Sequence, residues 1–287
     1  MDRPALRNSR EFMQRELEIG RRIQTSFLPA TLPQPPGWEI ASCFEPALMV
    51  SGDFYDAFML SAGKRIGVVV GDVCDKGVGS AIYMALFRSL IHAFAEQHFS
   101  LGWMDMLSAD RAEVDPLQAV GRRRALLSTG ATPLKKAIDL TNRYITLNHG
   151  EACMFATVFF AVIDPTNGAL MYINGGQNPP LIIGSRGVKE QLDPTGPVVG
   201  LLPEMEFQIG QAKLEPGETL LAYTDGVTDA HNPSGEFFGP QRLQALVEKS
   251  ASSAEDILNR ILAGLHEHIN GADQYDDITL LAVRWVK

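Results

Sequence analysis

The sequence predicts an α+β fold in which antiparallel sheets and helices pack in layers. Three observations lead there. Short apolar runs bounded by Gly, Pro and Asx turns come in groups, without the strict strand–helix alternation of a parallel sheet. The segment Pro165-Thr166-Asn167-Gly168 joins two such runs, and its Asn-Gly pair suits a tight hairpin. Between the groups stand longer stretches with helical spacing.

At the N-terminus, Phe12, Met13, Leu17, Ile19, Ile23 and Phe27 fall within an arc of about 160° at 100° per residue, which predicts an amphipathic helix over 10–28. Glu16 interrupts the arc and Gly20 weakens the helix. Such a face either packs on its own domain or serves as a switchable or oligomeric surface. Pro29, Pro33, Pro35 and Pro36 end it, so 1–30 reads as a helical linker with a regulatory or dimerising role and 31–287 as the main domain.

Strands are expected in WEIASCFEPA, DFYDAFML and RIGVVVGD, the last with the apolar run Ile66 to Val70. Ser80 is placed to cap a helix carrying Ile82, Leu86, Leu90 and Phe94. A second helix is expected from Thr132-Pro133. Residues 101–130, with Gly102, Pro116, Gly121 and the triplet Arg122 to Arg124, lack a clear period and read as an inserted surface loop. Strands resume in MFATVFFAVID, ALMYINGG, PLIIGS and ETLLAYTD. Ser252-x-x-Glu255 resembles a capping box before a helix with Ile257, Leu258, Ile261, Leu262 and Leu265, and ITLLAVRWV closes the chain as a strand.

Composition narrows the function. The 287 residues are 45% hydrophobic and 21% charged, ordinary globular usage with enough chain for a real core. A net charge of -9 is the wrong sign for binding nucleic-acid phosphates, so no nucleic-acid partner is expected. No apolar run approaches the roughly 18 residues of a membrane span and the first ten residues are polar, which predicts a cytoplasmic protein without a membrane partner. Cys43, Cys74 and Cys153 are too scattered for a disulfide framework or zinc site. Met49, Ser80 and Phe159 stand where a C-x5-R phosphatase loop needs arginine. Walker, G-x-G-x-x-G, G-x-S-x-G and H-E-x-x-H motifs are absent as well.

The aspartates are the informative feature. Asp53 follows Ser51-Gly52, Asp72 follows an apolar run and Gly71, Asp225 follows LLAYT, and Asp276-Asp277 precede the last strand. Each alone is an ordinary turn former. Together, at strand ends that can share one rim, they would repel and raise one another's pKa unless a cation neutralised them. All-oxygen ligation selects a hard ion, Mg²⁺ or Mn²⁺, and two such ions suit hydrolysis of a phosphate ester by an activated water.

Five ordered motifs carry a resemblance: Ser51-Gly-Asp-Phe-Tyr-Asp56, Gly71-Asp-Val-Cys-Asp-Lys-Gly77, Asn174-Gly-Gly-Gln-Asn-Pro-Pro180, Tyr223-Thr-Asp-Gly-Val-Thr-Asp229 and Asp276-Asp-Ile-Thr279. Over roughly 16–285 the chain resembles the PPM (PP2C-like) serine/threonine phosphatases, and within them the RsbU/SpoIIE branch. The resemblance implies an α/β/β/α sandwich of two antiparallel sheets flanked by helices. It implies Asp53, Asp72, Asp225 and Asp276 as the catalytic metal ligands of two Mn²⁺ or Mg²⁺ ions, with Asp72 bridging, the Val73 carbonyl completing one ion and Asp277 as the fallback to Asp276. Asp56, Asp75 and Asp229 would support those ligands from behind or cap turns. Lys76 would meet a phosphate or be solvated. The implied substrate is phosphoserine or phosphothreonine on a protein, a STAS-type anti-sigma-factor antagonist in a partner-switching pathway. A regulatory partner or a homodimer would use the N-terminal helix.

The chain departs from that branch where Gln177 replaces a histidine, so no general acid is assigned there. Two other readings remain: a partner-binding module with weak or lost catalysis, and a metal-dependent phosphodiesterase.

Overall fold

The computed structural model describes the backbone of residues 3–109, 119–249 and 251–286, and the side chains of residues 11–98, 133–249 and 251–286. Strands β2 (Asp53–Leu60), β3 (Arg65–Val73), β4 (Ala156–Ile163), β5 (Ala169–Gly175) and β8 (Gly210–Lys213) form one sheet in that order. The other contains β1 (Trp38–Glu45), β6 (Leu181–Gly184), β7 (Gly187–Gln191), β9 (Thr219–Tyr223) and β10 (Ile278–Trp285), ordered β1-β10-β9-β6-β7. All ladders are antiparallel. Helices α2 (Val78–Ala109) and α3 (Ala119–His149) cover the first sheet, and α1 (Arg3–Phe27) lies on α2. A one-turn helix α4 (Asp225–Thr228) follows β9, while α5 (Gly239–Val247) and α6 (Ala254–Ile269) pack on the second sheet.

Alternation along the strands explains the layers. In β3, Ile66, Val68 and Val70 face the other sheet, whereas Val69 and Val73 face the helices. Strands β4, β9 and β10 split the same way, Leu220, Ala222, Leu281 and Val283 pointing inward and Leu221, Leu280 and Ala282 toward α5 and α6. Both faces are covered, which is why these segments read as continuous apolar runs.

Several expectations are corrected. The stretch 101–130 is not an irregular loop where it is described: α2 continues to Ala109 and α3 begins at Ala119, while 110–118 lie outside the described residues. Pro133 therefore sits inside α3 and does not start it. Ser80 is no cap, since the helix starts at Val78 and the Ser80 hydroxyl donates to the Gly77 carbonyl (2.9 Å). The buried face of α2 is Met84, Phe87, Ile91 and Ala95, with Ile82 62% exposed. The cap of α6 is one residue later than expected: Ser253 accepts from the Asp256 amide at 3.0 Å. The 165–168 turn is a longer hairpin in which Gly168 adopts φ 71° and donates to the Asp164 carbonyl.

The Val78–His98 part of α2 is, by length and composition, apolar enough to cross a membrane, contrary to the expectation. One face of it, with Met84, Phe87, Ile91 and Ala95, packs into the core, and its Arg88 and His92 both reach Asp56 on β2, at 2.8 and 2.7 Å.

Candidate metal centre

Asp53 opens β2 directly opposite Asp72 of β3, which is itself opposite Thr157 of β4. Paired residues share a face, and this row continues the inter-sheet layer of Ala57, Val70 and Phe159 to its rim. From the second sheet, Thr224 after β9 and Thr279 in β10 face the same layer. Both hydroxyls donate to Asp53 Oδ2, at 2.7 and 2.6 Å, so one buried carboxylate pins the two sheets together.

Asp225 begins α4 and Asp276 ends the turn before β10, which brings them to the same rim. A Cβ on Gly226 would collide with the Asp277 carbonyl, so glycine is what lets α4 approach this turn. Asp277 is a strap: Oδ1 accepts from the Ala47 amide (2.7 Å) and Oδ2 from the Gly52 amide (3.0 Å). Asp276 Oδ2 meets Lys76 Nζ at 2.9 Å, and its Oδ1 accepts from the Asp277 amide at 2.9 Å.

The carboxylates feel one another. Burial, then the charges of Asp72 and Asp277, push the Asp53 carboxyl well above the usual range, against the opposing pull of the Thr279 and Thr224 hydroxyls. Asp72 is raised to about 7 by burial and by Asp225 and Asp276, partly offset by its hydrogen bond with Asp53. Asp225 is raised by burial, then by Asp276 and Asp229. Burial pulls the Lys76 ammonium down, but its contact with Asp276 outweighs that and its pKa rises.

Among the described residues no three His, Cys, Asp or Glu side chains are already gathered as a metal-holding set. The oxygens turn to protein donors instead: hydroxyls for Asp53, Lys76 for Asp276, amides for Asp277. The surroundings still fit a hard cation. All the donors are oxygens. A Cβ on Gly52 would stand 2.7 Å from the Val73 carbonyl oxygen and 3.4 Å from Asp72 Oδ1, filling the gap between two of the expected ligand atoms.

The other sequence candidates make contacts of their own around this rim or away from it. Asp56 alternates to the helix side of β2 and pairs with Arg88 and His92, so it does not support the site. Asp75 occupies a left-handed turn (φ 71°) and its Oδ1 accepts from the Lys76 amide. Asp229 accepts from the Thr228 hydroxyl after α4. Gln177 is buried; its Oε1 accepts from the Thr157 hydroxyl at 2.7 Å, and its Nε2 has no partner among the described residues. The residues that reasoning from sequence missed are Thr224, Thr279 and Ser51, whose hydroxyl accepts from the Asp53 amide at 3.0 Å. A threonine beside two of the rim segments, in Thr224-Asp225 and two residues after Asp277, was the available signal.

The family model described as Stage II sporulation protein E (SpoIIE) matches residues 62–286. Protein IcfG of Synechocystis is 45% identical over 268 residues, 93% of this chain and 41% of that protein. Phosphoserine phosphatase RsbU of Bacillus subtilis is 23% identical over 97% of this chain and 72% of its own. The chain thus spans less than half the length of IcfG. Among solved structures, the SiaA-PP2C domain of Pseudomonas aeruginosa superposes with a TM-score of 0.70 at 18% identity, covering 96% of this chain and 98% of that one. RsbX in complex with magnesium gives 0.56 at 13% identity, covering 88% of this chain and 98% of that one. With a sandwich of this topology and a family match over most of its length, the chain belongs to the SpoIIE family of PP2C-fold proteins.

Proposed function

We propose that the chain is a divalent-metal-dependent phosphatase that hydrolyses phosphoserine or phosphothreonine on a protein. One observation carries the reading: Asp53, Asp72, Asp225 and Asp276 come from four separate segments yet meet at one rim, where burial and neighbouring carboxylates raise the first three, beside a gap kept open by Gly52. Like charges at such a place are relieved by a cation. Asp53 and Asp72, with the Val73 carbonyl, would hold one ion; Asp225 and Asp276 the other. Asp277, with both oxygens committed to backbone amides, serves better as the strap than as a ligand.

Mg²⁺ or Mn²⁺ bound there supplies an activated water and a clamp on phosphoryl oxygens. The chain's own contribution is orientation. Thr224 and Thr279 fix the Asp53 carboxylate, Asp277 holds the 47–52 segment against β10, and Gly226 brings Asp225 close. The phosphoserine-phosphatase name of RsbU and the magnesium bound in RsbX support the substrate class and the ion. The family resemblance extends the proposal to a phosphorylated STAS-type antagonist as substrate. It also gives α1 a regulatory or dimer contact, for which Phe12, Met13, Ile19 and Ile23 are left exposed.

Phosphate release from p-nitrophenyl phosphate and from a phosphoserine protein, with and without Mn²⁺, tests the reading. Asp72→Asn and Asp225→Asn should lose at least about 100-fold, beyond the range for mutating an outer partner of a ligand. Undiminished activity in both variants would refute it.

A further inference from the structure

Lys76 lies in the loop that leaves β3. Its neighbours Asp75 (φ 71°) and Gly77 (φ 89°) are both left-handed, so the chain doubles back at this point. The lysine side chain crosses to the turn before β10, where Nζ donates to the Tyr275 carbonyl at 2.6 Å and to Asp276 Oδ2 at 2.9 Å. The same ammonium lies 4.7 Å from the centre of the Tyr275 ring. Because the Asp277 amide already donates to Asp276 Oδ1, both oxygens of Asp276 are engaged.

An ammonium and a divalent cation are drawn to the same lone pairs and the same negative field, and repel each other at close range. Either one on Asp276 Oδ2 therefore opposes the other. We propose that the Lys76 ammonium is a tethered competitor for the second divalent cation, holding Asp276 until an ion displaces it. The proposal rests on the metal-dependent reading above and deepens it: Lys76 lowers the affinity for the ion that needs Asp276 and leaves untouched that for the ion held by Asp53 and Asp72. Displacement is easy. The Lys76 side chain is 41% exposed and that of Asp276 26%, so the ammonium can swing into water and regain hydration there, and the contacts it gives up are of the modest, partly exposed kind.

Calorimetric Mn²⁺ titration and thermal melts of the full chain, after chelator treatment, test this in the wild type, Lys76→Met and Lys76→Arg. Lys76→Met should tighten the class of sites that uses Asp276 by roughly two- to fivefold and leave the other class unchanged. It should also melt lower than the wild type without Mn²⁺ and equal to it with saturating Mn²⁺. Lys76→Arg, which keeps the charge, should titrate like the wild type. Two ions bound by the wild type, with a superimposable Lys76→Met isotherm, would overturn the proposal and leave the metal-dependent reading standing. So would a melting deficit of equal size with and without Mn²⁺, the mark of a purely structural lysine. No Mn²⁺ uptake by any of these proteins would overturn both.

Discussion

Position 52 shows how little space separates a working rim from a blocked one. The Gly52 carbonyl accepts from the Val73 amide at 3.2 Å and its own amide donates to Asp277, so its backbone is clamped on both sides. A methyl group there would press on the Val73 carbonyl, and a clamped backbone cannot move aside to relieve it. Gly52→Ala should therefore keep the fold, by circular dichroism, yet lose about tenfold or more in Mn²⁺ affinity and phosphate release, the size found when a residue supporting a ligand is changed. Wild-type Mn²⁺ affinity in this variant would show that the gap is not where the ion binds. Asp53 illustrates a different point. Its two hydroxyl donors come from the other sheet, so a substitution that removes its side-chain oxygens also unties the sheets.

At the scale of elements, the strands that position the site were legible because they are buried on one or both faces. Residues Ile66–Val70, Leu220–Tyr223 and Ile278–Val283 read as apolar runs for that reason, and the aspartates at their ends could be located from them. Edge strands β7 (GVKEQ) and β8 (GQAK) escaped notice, being short, polar and mostly exposed. Helix α4 is a single turn, too short for any period. The buried face of α2 was misread because the helix is apolar nearly all round, so spacing alone cannot choose between Ile82 and Met84. Nor could sequence show that α1 reaches the site. Gln24, buried on α1, donates to the Ser51 carbonyl at 2.5 Å and accepts from the Ser51 amide at 3.0 Å. Ser51 in turn accepts from the Asp53 amide. Gln24→Ala leaves both Ser51 backbone groups unpaired in a buried place, a cost of about 1–3 kcal/mol. Hydrogen exchange at 50–53 should accelerate and Mn²⁺ affinity should fall. If neither changes, α1 is not mechanically joined to the site.

Across the whole molecule, the site lies where the two sheets meet, so its protonation is coupled to folding. Asp72 has a folded pKa near 7 against an ordinary 3.8, and Asp53 and Asp225 shift in the same direction. The folded chain thus holds protons that the unfolded chain has already released. The associated stability is fully present below the unfolded pKa and is lost as pH rises through the folded one. For Asp72 alone, the loss between about pH 5.5 and about pH 7.5 is on the order of 2 kcal/mol. His92, raised chiefly by its bond to Asp56, adds loss of the same sign above its ordinary 6.5. Divalent ions reverse the Asp72 contribution, since they compete with protons for the carboxylates and bind better as pH rises. Chelator-treated protein should therefore melt at progressively lower temperature from about pH 5.5 to about pH 7.5. Saturating Mn²⁺ should flatten the slope to the part owed to His92, and Asp72→Asn without metal should flatten it similarly. A melting temperature that rises with pH in the chelator-treated wild type would mean that the rim carboxylates are not held against their own repulsion, and the electrostatic case for a cation at this junction would fail.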